Sequence, residues 1–412
     1  TVGGIVTVGN QASAARGGQM RVTNGVFTST NTTPGNTPGG IVMAQNRSGN
    51  ANNVARASFS GGASSVEKFT LGFDATVNAG SATITIDGGA LYVGAGGIVK
   101  NGTGAFATNL DFSSGTLGAR TDWSTVVPIN LPTGGNINVK SADILDTARN
   151  ITLGGPISGA GGLTKIGAGR LVLTNSNTFS GAVSVNAGVL DVDGSIGAGG
   201  DLSINSNATL TGDGSIGRAV VLNNGGTLQP GSATPDSTLT ASSLTFNGNS
   251  TLAYTLGSTS NHLAITNSLS KGGVGPFNFA FAPSAGLAAG KSYALATFNS
   301  TDFSVTDFSY TGLPISLAGV FNLTSNSLTF DVFGPPVIVT QPQNVVVIMG
   351  GTATFNVSVN PTPTLTYQWL KDGLPITGAT NASLTINGVQ GADVGSYSVT
   401  VSNAAGSVTS DA

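Results

Sequence analysis

The stretch GGLTKIGAGRLVLTNSNTFSGAVSVNAGVLDVDGSIGAGGDLSINSNATLTGDGSIG, residues 161–217, decides the fold. It holds no Cys, His or Glu, yet it restates itself: DGSIG stands at 193–197 and again at 213–217, 20 residues on. Around that echo runs a shorter phrase, an Asn or Asp, one or more small residues, then a Leu that opens an alternating segment. It occurs as DGGALYV (87–93), NAGVLDV (186–192), NATLTG (207–212) and NGGTLQP (224–230), with a degenerate copy, NGNSTLAYTL, at 247–256. Leu190, Leu210 and Leu228 recur at spacings of 20 and 18 residues. Between them lie LVL at 171–173, VSV at 183–185 and LSI at 202–204.

A period of about 20 residues, built of short strands with Asn/Gly turns, reads as a parallel β-solenoid. One coil cannot bury its inward side chains alone; the next coil covers its edge and continues its core. Gly and Asn suit the corners because they tolerate positive φ, and β-branched Thr and Val suit a pleated face. A 3.6-residue period appears nowhere in the chain. The expected architecture is all-β, with a solenoid over 1–240 whose period blurs across 1–160, where loops such as STNTTPGNTPGG (29–40) interrupt it. From 241 to 333 the aromatic content rises, with FNFAF at 277–281 and TDFSVTDFSY at 301–310. This stretch is expected to be a β unit capping the solenoid, because an open end leaves an unpaired edge. The Gly-Pro-Pro at 334–336 reads as a linker to a small β domain over 337–412.

Composition narrows the functional classes. With 412 residues the chain has room for two or three domains. Charged residues make up only 8% and the net charge is −3, which gives no reason to expect nucleic acid. There is one glutamate (Glu67), one histidine (His262) and no cysteine, so disulfides and thiolate chemistry are out. No apolar run approaches the roughly 18 residues a spanning helix needs, so membrane insertion of this segment is not expected. The opening TVGGIVTVGN shows no secretory leader. A Gly-, Thr-, Asn- and Ser-rich all-β chain of this kind reads as extracellular.

Two resemblances sharpen the reading. Residues 161–192 resemble the autotransporter-associated β-strand repeat, also called the passenger-associated transport repeat. The match runs through Gly162, Leu163, Lys165, Gly167, Gly169, Leu171 and Leu173, then Asn177, Thr178, Phe179, Gly181, Val185, Asn186, Gly188 and Leu190. The resemblance implies a right-handed β-helix in a secreted or surface-exposed bacterial protein. Residues 337–412 resemble a bacterial immunoglobulin-like domain of the intermediate type. Trp369 falls where the strand C tryptophan packs, and Asp393-x-Gly395-x-Tyr397 matches the tyrosine-corner segment before strand F. Val357 and Val399 fill the two cysteine positions, a departure that removes the disulfide and keeps the sandwich.

Against the scaffold reading stand a few chemical candidates. Asp191 and Asp193 share a strand face by the two-residue alternation, and Asp213 is expected one coil above Asp193. Paired carboxylates could serve glycoside cleavage or hold Ca²⁺; turn-forming Asp-Gly is the simpler account. No metal, cofactor or catalytic residue is therefore expected. His262 has no second histidine to form a metal site, Lys165 is expected to be structural at the start of a strand, and Asn46-Arg47-Ser48 is a chance glycosylation triplet. Phe277, Phe279 and Phe281 lie on one face, either a buried sheet face or a sugar-binding stripe.

The sequence thus points to a non-enzymatic bacterial surface protein that makes length, as a rod, stalk, surface layer or fibre subunit. An adhesin for a glycan or another surface is the alternative, and a polysaccharide-active enzyme the third reading. Expected partners are further copies, end to end, or other surface proteins. Strand G of the last domain, from Ser407, is expected to be incomplete by Ala412. The strand F edge beside it is then left open to the following residues of a longer polypeptide or to a strand donated by another chain.

Overall fold

Short runs of Val, Ile, Leu and Thr bounded by Gly and Asn form strands because alternation gives each one a buried and an outward face. A computed structural model describes residues 6–8, 18–22, 28–29, 41–43, 54–72, 79–101, 103–231 and 236–412. The loop after Ser29 and the Asn46 triplet lie outside the described residues. The chain divides into two units. The first comprises 1–254, 261–280 and 296–310, and the second 255–260, 281–295 and 311–412.

The first unit is a parallel β-solenoid, and its core is a set of ladders that climb one coil per rung. One ladder runs Trp123, Ile151, Leu171, Leu190, Leu210, Leu228, Leu252, each in register with the next. All seven are buried. A second runs Leu91, Leu117, Val139, Lys165, Val185, Ile204, Leu222, Phe246. A third flank passes Ala57, Ile84, Leu110, Ile129 and Ile157. Burying each aliphatic side chain contributes about 1.5–3 kcal/mol, so stability is spread along the stack instead of concentrated in one place. At the NAG corner Gly188 adopts φ 66°, and a Cβ there would stand 2.5 Å from the Gly167 and Gly169 carbonyl oxygens of the coil below. Glycine is therefore required by conformation and by space.

Parallel coils do not stop at residue 240. Phe246 pairs onward with Lys271, Ala241 with Ile265, and Leu263 with Ala296, all within the first unit. The 241–333 stretch, expected as the solenoid's end or cap, is divided between the two units, with much of it forming further coils. In the second unit, Ala318–Leu323 and Ser327–Phe333 form an antiparallel hairpin. The immunoglobulin-like part of that unit has Thr352–Asn356 paired with Ser383–Asn387, and Thr366–Lys371 flanked by Leu374–Pro375 and Tyr397–Asn403, with Gly406–Thr409 beyond. Residues 334–336 are a packed joint, not a free linker. Gly334 and Pro336 are buried, and the Gly334 carbonyl accepts from Asn403 Nδ2 at 2.9 Å.

Candidate functional site

The three aspartates singled out by sequence do converge, but their geometry differs from simple alternation. Strand Gly188–Val192 ends before Asp193, which lies in the turn. Asp191 points opposite to Leu190 and yet is only 4% exposed, because Arg170 of the coil below covers it and binds its Oδ2 through Nη1. The expectation that Asp191 and Asp193 share a strand face is corrected accordingly. Coil stacking fixes their heights: the N–H groups of Asp193 and Gly194 donate to the Leu173 carbonyl, and Gly214 and Ser215 donate to Val192 and Gly194. Asp213 follows its own strand, Ala208–Gly212, in the equivalent turn.

Electrostatics tie the trio together. The Asp193 carboxyl is pushed up to about 6, chiefly by loss of surrounding water, then by the charge of Asp191, a hydrogen bond with it, and the charge of Asp213. Arg170 opposes the rise. The second oxygen of Asp191, Oδ1, is buried and has no hydrogen-bond partner. Among the described residues no group of three or more His, Cys, Asp or Glu side chains is placed to hold a metal ion.

Two cations are buried in the solenoid: Lys165, expected to be structural, and Arg218, which the sequence reading did not single out. Lys165 lies within the strand Gly162–Ile166, not at its start, and it occupies an inward rung between Val139 and Val185. It is fully buried, and its Nζ donates to the carbonyls of Ile166 (3.2 Å), Gly167 (2.7 Å) and Ala187 (2.8 Å). Burial lowers its pKa to about 8. Arg218, also buried, donates to Gly197 (2.9 Å), Gly181 (2.6 Å), Gly200 (3.1 Å) and Phe179 (2.6 Å), and its guanidinium lies 5.0 Å from the Phe179 ring centroid. Asn177 acts as a polar rung: its Oδ1 accepts from Ile157 N–H at 3.0 Å, and its Nδ2 donates to Asn175 and Ser195. These groups satisfy backbone atoms where coils turn, which is structural work.

The aromatic stripe is interior: Phe277 and Phe279 in the first unit and Phe281 in the second are each buried. Phe277 meets Phe246 and Phe303 edge-on, and Phe281 packs on Phe330 at 4.4 Å, so the sugar-stripe alternative is overturned. His262 Nε2 lies 3.0 Å from Thr297 Oγ1.

In the immunoglobulin-like part, Trp369 is buried with Val357, Leu384, Tyr397, Val399 and Val401, and its Nε1 donates to the Asn381 carbonyl at 2.9 Å. The Tyr397 hydroxyl donates to the Asp393 carbonyl at 2.6 Å, closing the corner, while Asp393 Oδ2 accepts from Gln390 N–H. Gly395 packs against the Asp372 carboxylate. The edge of Tyr397–Asn403 is less open than expected. Gly406–Thr409 pairs with its last four residues, and Ser410 exchanges hydrogen bonds with Val399 beyond them. A groove of about 540 Å³ lies between Pro342–Val346 on one side and Gly395, Ser396 and Tyr397 on the other.

Comparison with known proteins matches this architecture in pieces. Residues 163–192 match the passenger-associated-transport-repeat family, and residues 335–403 match an immunoglobulin domain. Over 111 residues the chain is 41% identical to the adhesin BmaC autotransporter of Brucella suis biovar 1 (strain 1330), covering 26% of this chain and 3% of that protein. Over 61 residues it is 48% identical to an extracellular serine protease of Serratia marcescens, covering 15% and 6% respectively. Over 93 residues it is 31% identical to Kin of IRRE-like protein 3 of Homo sapiens, covering 22% and 12%. The chain spans only a small fraction of the length of each of these relatives. It carries a passenger-associated transport repeat together with an immunoglobulin-like domain in its C-terminal region. The repeat and the autotransporter likeness mark it as a secreted or surface-exposed passenger-type protein. None of its described helices is long and apolar enough to cross a membrane.

Proposed function

We propose that the chain is a non-enzymatic structural segment whose solenoid makes length at a bacterial surface. One observation carries this reading: the Leu171, Leu190, Leu210, Leu228, Leu252 ladder repeats one buried contact from coil to coil. Such a core can grow or shrink by whole coils, because each coil touches mainly its neighbours. The polar interior groups, Lys165, Arg218 and Asn177, are all engaged with backbone atoms, which supports a scaffold role for them. Copies would associate end to end through the same edge pairing that stacks coils.

Coil insertion tests the proposal. Three further copies of residues 193–212, inserted after Gly212, should lengthen the particle by about 14 Å at roughly 4.8 Å per coil. Small-angle X-ray scattering measures the change, and the melting temperature should hold or rise. Failure to fold, or an unchanged maximum dimension, overturns the length-making reading. A second reading, adhesion to a glycan or another surface, is favoured by the adhesin relative, which matches 26% of this chain. Saturable binding of the purified chain on a glycan array would favour it.

A further inference from the structure

The acid cluster at the DGSIG turn does something the scaffold reading leaves unexplained. Asp191 is almost wholly buried; one carboxylate oxygen is bound by Arg170, while the other has no donor. A buried charged acceptor left unbound is costly, and a neighbour able to donate would relieve it. Two residues on stands Asp193, a second acid whose side chain interacts with that of Asp191 and whose place is fixed by the backbone bonds that Asp193 and Gly194 make to Leu173. The groups that face Asp193 are Arg170 in the coil below, Asp191 in its own coil and Asp213 in the coil above. Of these only Arg170 is positive, and its Nη1 binds Oδ2 of Asp191.

We propose that Asp193 holds a proton in the folded coil and donates it to the buried Oδ1 of Asp191, and that losing this proton loosens the stacking of the two DGSIG coils. No bond other than the O–H bond of Asp193 forms or breaks, and the proton exchanges with water. When it leaves, Asp193 carries a charge beside the like charges of Asp191 and Asp213. The upward displacement of the Asp193 carboxyl to about 6 agrees with this. Acid therefore seals the coil pair and neutral solution relaxes it, opposite to the behaviour of most paired carboxylates.

Amide hydrogen exchange of the full chain tests this at Asp193, Gly194, Gly214 and Ser215, whose N–H groups bond across coils. With intrinsic rates corrected, protection should fall several-fold between pH 5 and pH 7.5. Asp193→Asn, whose carboxamide donates at every pH, should keep its protection at pH 7.5. Asp213→Asn removes a like charge, so it should move the midpoint of the loss to lower pH while leaving the fold intact. The proposal is overturned if wild-type protection does not change with pH, or if Asp193→Asn loses protection equally at both values.

Discussion

Lys165 shows how a single charged residue can be core. It sits on an inward rung, and three carbonyls replace its water. Its folded pKa, about 8, lies below the ordinary value of 10.5. Between those values the native state binds fewer protons than the unfolded chain, so stability should rise as pH climbs from about 8 towards 10.5. Denaturant unfolding across that range checks the sign, and Lys165→Met should flatten the slope. Lys165→Ala, which leaves a void and three carbonyls without a donor, should cost about 2–4 kcal/mol. Arg218 is the parallel case with four carbonyl partners, and Arg218→Lys should lose about 2 kcal/mol by calorimetry because an ammonium cannot span that fork. Both residues were partly legible. Arg218 stands in phase with Ile216, Val220 and Leu222, and Lys165 with Leu163. A charge on an apolar phase reads as an interruption until the backbone shows carbonyls gathered around it. Arg170 was not legible at all, since its pairing with Asp191 depends on coil-to-coil height and not on any local pattern.

At the scale of the coil, the sequence repeat is a record of close backbone approach. A Cβ at Gly214 would stand 2.0 Å from the Gly194 carbonyl oxygen and 2.6 Å from that of Val192, whereas at Gly217 the nearest atom is 3.3 Å away. Gly214→Ala should therefore cost about 1–3 kcal/mol and Gly217→Ala distinctly less. Equal losses for the two would mean that the turn, not the stacking distance, selects glycine in DGSIG. Leu190→Asp should cost about 3 kcal/mol or more, since it buries an unpaired carboxylate between Leu171 and Leu210; thermal unfolding measures it. The ladder Leu190, Leu210, Leu228 could be read because its spacings, 20 and 18 residues, are short and nearly equal. Elsewhere the strand registers hold while the corners vary. The rung from Leu91 to Leu117 spans 26 residues and that from Phe246 to Lys271 spans 25, against 18 from Leu210 to Leu228. A period that drifts this far is invisible to a search for fixed repeats. That drift, and Phe at inward rungs such as Phe246, make the coils after 240 read as the solenoid's end or cap.

At the scale of the whole molecule, the immunoglobulin-like part was legible from Trp369, Tyr397 and the change of composition at Gly334, but its attachment was not. Small residues carry that attachment. Ala405 is buried against Ala318 and Phe333 of the hairpin, and Asn403 reaches both the Gly334 carbonyl and Thr362 Oγ1. Nothing about an alanine in a polar turn announces a contact, so the joint read as a linker. A charge placed there should separate the two parts without melting either core. Ala405→Glu buries a carboxylate with no cation beside Ala318 and Phe333, which should cost the joint about 2–3 kcal/mol. The core around Trp369 shares none of those contacts and should stay folded. Limited proteolysis distinguishes the outcomes: cleavage at 334–340 should appear in the variant while Trp369 fluorescence stays native. If 334–340 stays resistant, or if the immunoglobulin-like core unfolds together with the joint, the attachment is not the small-residue contact described. In that case the hairpin and the sandwich behave as one cooperative body.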